Sequence, residues 1–101
     1  MTTITAAPIL SYATVAEITF YGMQMCMQHD FGTGTTRLLT RTTRTGLARY
    51  APSTVKAPQL PDTLTFTEMV TVAHAWLQDR KVAIWSDDRE RLTETAADYL
   101  R

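Results

Sequence analysis

Residues Tyr21–Gln28 read "YGMQMCMQ", and the period assigned to this stretch decides the fold. Taken two by two, Met23, Met25 and Met27 fall on one side and Gln24, Cys26 and Gln28 on the other, the alternation of a half-buried strand. Taken at 3.6 residues per turn together with the preceding "TVAEITF", Glu17, Tyr21, Gln24 and Gln28 line up as one narrow polar stripe on an otherwise apolar cylinder. The helical period is preferred here, and it predicts a first helix over 15–29. Thr14 and Glu17 form a capping box at its start, and Gly32 and Gly34 of "FGTG" stop it. A helix so narrowly wetted needs a cover, either the rest of the domain or another chain. Met23, Met25 and Met27, flexible and polarizable, are then candidates for an adaptable contact surface, with plain core filling as the alternative.

Working outward, the same cap signature recurs twice, as "TFTE" (Thr65, Glu68) and "DDRE" (Asp87, Glu90). After the first of these, Phe66, Met69, Val70, Ala73, Trp76 and Leu77 recur at helical spacing, which predicts a second helix over 66–80 with Leu64 stapled to Met69. Arg80 and Lys81 suit the negative end of its dipole. "VAIW" then reads as a buried strand over 82–85, and Asp87 as the start of a third helix over 88–100.

Between the first two helices lies "RLLTRTTRTGLARY", Arg37–Tyr50, with four arginines and no acid. Its Thr, Arg and Tyr content favours β structure and Gly46 suits a turn, so a basic hairpin is expected over 35–51 with strands near 35–43 and 47–51. Neither face of this hairpin alternates cleanly. Pro52, Pro58 and Pro61 mark 52–64 as an extended connector. The expected architecture is therefore a single α+β domain spanning 1–101, with about three helices and a short antiparallel hairpin in the order α-β-β-α-β-α.

The 101 residues carry ten bases and ten acids. Their placement is uneven, with net charges of −2 over 1–30, +5 over 31–60 and −3 over 61–101. A local positive patch can steer an anionic partner even on a neutral chain, unless folding sets the acidic third against it. No apolar run approaches the ~20 residues of a membrane span. The N-terminus has no basic leader followed by a long apolar stretch, and Cys26 is the one cysteine, so a reducing, cytoplasmic setting is expected.

Chemistry-bearing constellations are sparse. Cys26 and His29 sit three apart and His74 could join them, but a structural zinc site wants four ligands, so no metal or cofactor is expected. The Asp87–Asp88 pair reads as capping, Cys26 as an inert buried thiol, and no catalytic set emerges. The expected function is non-enzymatic: a protein–protein interaction module, binding another protein or itself, through Arg37, Arg41, Arg44, Arg49 and Tyr50 or through Met23, Met25 and Met27. Small motif-free domains of this size are frequent among phage and mobile-element products that act as accessory proteins or inhibitors of larger machines. The alternative is a nucleic-acid-binding protein that lays the basic hairpin along phosphates, with Tyr50 stacking on a base.

Overall fold

The computed structural model describes residues 12–43 and 49–99. Four strands, β1 (Tyr12–Phe20), β2 (Met23–Asp30), β3 (Thr35–Thr42) and β4 (Ala51–Pro52), form one antiparallel sheet in the order β1-β2-β3-β4. One 34-residue helix, α1 (Phe66–Tyr99), about 51 Å long at 1.5 Å per residue, crosses one face of the sheet and lies nearest β1. The three-helix order α-β-β-α-β-α is thus corrected to β-β-β-β-α.

Segment 15–29 is not a helix but most of the β1–β2 hairpin. Period two wins because the residues before the turn include β-branched Val15, Ile18 and Thr19 and the segment is broken in its middle by Tyr21–Gly22. Both turn residues have positive φ, 47° and 76°, the conformation whose twist matches a two-residue hairpin. Trp85 holds the strained Tyr21 in place, donating its indole N–H to the Tyr21 carbonyl at 3.3 Å and packing edge-on against the Tyr21 ring. The glycines of "FGTG" do not stop a helix. They belong to the β2–β3 turn, where Gly34 takes φ 74° and donates to the Asp30 carbonyl at 2.8 Å.

The sheet has a covered inner face and an outer face. A register shift between Thr14 and Ala16 marks a β-bulge at Val15, so Val15 and Ala16 are both buried. Across the inner face run the rows Ala16–Met27–Leu38, Ile18–Met25–Thr40 and Phe20–Met23–Thr42. From α1, Met69, Ala73, Leu77, Ile84 and Leu92 pack on them. Burying a methionine contributes roughly 1.5–3 kcal/mol, so this face supplies most of what holds the two layers together. The connector after β4 folds over the inner side of β3, burying Ala57 and Leu60. The Gln59 amide accepts from Thr36 N and donates to Thr36 O, at 3.1 and 3.2 Å, and so continues the β3 edge where β4 ends.

The helix start at Phe66 is as read from sequence. Thr65 N donates to Glu68 Oε1 (2.8 Å) and Glu68 N to Thr65 Oγ1 (3.1 Å), a reciprocal capping box. Leu64 packs on the core that contains Met69. The expected 82–85 strand and third helix are instead the continuation of α1, because no Gly or Pro interrupts 66–99. Ile84, Asp88 and Leu92 extend the stripe begun by Met69, Ala73 and Leu77. No helix among the described residues is long and apolar enough to cross a membrane.

Candidate functional site

Three places in the fold concentrate polar chemistry. The first is Asp88, expected to cap a helix and found instead fully buried in the middle of α1. Its carboxylate accepts from Thr40 Oγ1 (2.9 Å) and Ser53 Oγ (2.6 Å) at one oxygen, and from Thr54 N (3.0 Å) and Thr54 Oγ1 (2.6 Å) at the other. Burial alone would raise its pKa, but these four donors outweigh it and hold the group below its ordinary value. Helix, β3 and connector are joined at this point.

The second is His29, fully buried at the end of β2. Its Nε2 lies 3.1 Å from Asp62 Oδ1 and its Nδ1 2.8 Å from Thr36 Oγ1. A carboxylate can only accept, so in the neutral ring Nε2 carries the proton and the Thr36 hydroxyl donates to Nδ1. The acid–imidazole–hydroxyl order matches that of a hydrolase triad. However, Thr36 Oγ1 is buried and also accepts the Leu60 amide at 3.2 Å. The hydroxyl is enclosed, and the array works as a latch that fastens the connector to the sheet. Cys26 lies on the opposite face of β2, and His74 is exposed on α1, so the three residues considered for a metal point into different surroundings.

The third is the outer sheet face. Two rows of identical composition cross it: Thr14, Gln28 and Arg37 directly opposite one another, and Thr19, Gln24 and Arg41 likewise. The bulge at Val15 makes this possible, since Thr14 and Thr19 are five apart in sequence while the Gln and Arg pairs are four apart. In the first row Arg37 donates through Nε (2.9 Å) and Nη2 (2.7 Å) to Gln28 Oε1, and its guanidinium lies 3.7 Å from the centre of the Tyr12 ring. In the second, Arg41 Nε donates to Gln24 Oε1 (2.7 Å), and its guanidinium lies 4.4 Å from the centre of the Tyr50 ring.

Between the two rows sits Glu17, opposite Cys26, which in turn faces Leu39. Glu17 Oε2 accepts the Tyr50 hydroxyl at 2.6 Å. Burial pushes the Tyr50 phenol far above its usual range, and the hydrogen bond to Glu17 pushes the same way. Cys26 is buried beneath these side chains and its thiol is raised by burial, which keeps it protonated. Thr14, Glu17 and Thr19 are exposed, and Gln24, Gln28, Arg37, Leu39 and Arg41 are half-buried, so the face is open to solvent.

Of the residues named from sequence, Arg37, Arg41 and Tyr50 meet on this face. Arg49 is exposed beside Tyr50, and Arg44 lies outside the described residues. Met23, Met25 and Met27 stand on the inner face, at most 2 % exposed, covered by α1 of the same chain. Self-association argued from an over-apolar first helix thereby loses its premise. Sequence reasoning missed Tyr12, Gln24, Gln28 and Glu17. The signal was the shared spacing of four in Gln24–Gln28 and Arg37–Arg41, visible only once both segments are strands. No family model matches the chain, and no curated protein or solved structure matches it.

Proposed function

We propose that this chain is a small non-enzymatic protein-binding module and that the outer sheet face is its docking surface. The observation that carries the reading is the repeated Gln–Arg–Tyr unit: Arg37 and Arg41, each held by a glutamine and stacked on a tyrosine, half-buried on the sheet face away from α1. Arg and Tyr are, with Trp, the residues most enriched where protein interfaces concentrate their binding energy. Side chains already fixed by stacking and hydrogen bonds lose little freedom on association. The methionines support the surface from behind rather than form it.

The test compares wild type with Arg37→Ala/Arg41→Ala, first by thermal unfolding and then by affinity capture from cells that make the protein. The expected result is an unchanged fold and loss of a protein captured by wild type. Identical capture by both chains would contradict the reading. Capture that nuclease treatment abolishes would favour the nucleic-acid alternative, in which the same two arginines meet phosphates.

A further inference from the structure

Resting on the reading of the outer face as a docking surface, we infer the chemistry of its occupant: an extended protein segment with two carboxylates about 13 Å apart and a donor or cation between them. The spacing comes from the strands. Gln24 and Gln28 anchor the two guanidiniums over β2, four residues apart, and at about 3.3 Å per residue this is about 13 Å. A segment in extended conformation presents residues i, i+2 and i+4 on one side at the same spacing. Acids at i and i+4 therefore meet both arginines at once.

Each guanidinium is oriented for this. Its glutamine binds the edge that includes Nε, with Arg37 also donating one Nη2 hydrogen, and among the described residues nothing else accepts from the Nη1/Nη2 end, whose remaining hydrogens can give a carboxylate two parallel hydrogen bonds. Stacking on Tyr12 and Tyr50 fixes the plane of each fork before the partner arrives. The middle position follows from Glu17. It lies in the row between the arginines, one strand from β2, and is exposed; its Oε2 accepts the Tyr50 hydroxyl, and among the described residues no side chain donates to its Oε1. A lysine, arginine or hydroxyl at i+2 satisfies it, and a third acid there is repelled.

The same carboxylate argues against a polyanion. A nucleic-acid backbone laid over both arginines would carry its continuous charge across Glu17. Moreover, one face of each tyrosine ring is already covered by a guanidinium and is not offered to a base.

The test is an NMR titration observing the arginine Nε–H groups of the 15N-labelled protein. The probes are a short capped peptide with Glu at i and i+4 and Lys at i+2, an isomer with Glu at i and i+2 and Lys at i+4, and oligothymidylate. The first peptide is expected to shift the Arg37 and Arg41 signals and to bind about tenfold tighter than the isomer, the factor of one added charge-assisted pair. Arg37→Gln/Arg41→Gln should remove that preference while leaving the backbone spectrum in place. Equal affinity for the two peptides, no shift with either, or tighter binding of oligothymidylate at physiological ionic strength would overturn the inference. Such a failure leaves the docking face itself standing, since capture of the natural partner by the wild-type and alanine chains decides that separately.

Discussion

Strand β2 has two sides that do opposite work. Inward it shows Met23, Met25, Met27 and His29, all buried, and outward Gln24 and Gln28, half-buried and engaged with arginines. The first side is held by removing apolar surface from water, which is strong and insensitive to detail. The second is held by hydrogen bonds and ring stacking among solvated groups, which contribute little to stability but fix geometry. Substitutions inward should therefore cost folding, and substitutions outward should cost recognition.

The largest expected effect comes from placing a charge on the inner side. Met25→Asp buries an unpaired carboxylate under α1 at a penalty of several kcal/mol, comparable with the whole stability of about 5–15 kcal/mol typical of a small domain. Circular dichroism should show global unfolding, and a folded variant would mean that the core lies elsewhere. Met25→Ala, a milder form, should lose about 2–5 kcal/mol in chemical denaturation.

Next comes Asp88, the polar point on the inner side. Its folded-state pKa is depressed below the ordinary aspartate value of 3.8. Its contribution to stability is therefore complete above that value and is lost as pH falls through the lower, folded-state one. Asp88→Asn sets an amide N–H against hydroxyl donors and should cost about 1–3 kcal/mol at neutral pH. The variant should also flatten the decline of stability below about pH 4. An unchanged acid limb would remove Asp88 from this role.

Smaller still is the helix cap. Thr65→Ala should lose about 0.5–2 kcal/mol, read as a lower denaturation midpoint with unchanged slope. At the bottom of the scale, Arg37→Ala and Arg41→Ala should each change stability by less than about 1 kcal/mol, while partner binding falls sharply. If Arg41→Ala destabilised the fold as much as Met25→Ala, the contrast between the two sides would collapse.

This same contrast explains what could be read in the sequence. The cap at Thr65 and the strand expected over 35–43, which spans Thr35–Thr42, were legible because each rests on local chemistry; of the strand expected over 47–51, residues 47 and 48 lie outside the described residues and β4 starts only at Ala51. The 15–29 segment was not legible, since its narrow polar stripe follows the helical period while Met23–Gln28 alternates at period two, and what decides for strands, the Tyr21–Gly22 turn and the β-branched residues before it, is a weaker signal than the stripe. Asp87 and Asp88 form a good cap on paper. What overrides it is the tertiary demand for an acceptor facing Thr40, Ser53 and Thr54, residues 34 to 48 positions away. The helix stripe was legible through Leu77 and then lost at 82–85, where the apolar run "VAIW" reads as a buried strand, and at Asp88, where a buried charge interrupts the apolar pattern. Half of the outer site was legible as a basic stretch. The other half, Gln24, Gln28 and Tyr12, is adjacent only through strand register.

The central claim is that recognition belongs to the outer face, and the most direct measurement is chemical-shift mapping of the protein bound to its captured partner. The account predicts that the Arg37 and Arg41 Nε–H groups and the Gln24 and Gln28 side-chain amides move, while the exposed Phe31–Phe66 pair and the helix surface at Val72 and Val82 stay in place. Perturbations confined to those apolar positions, with both arginines unmoved, would contradict it.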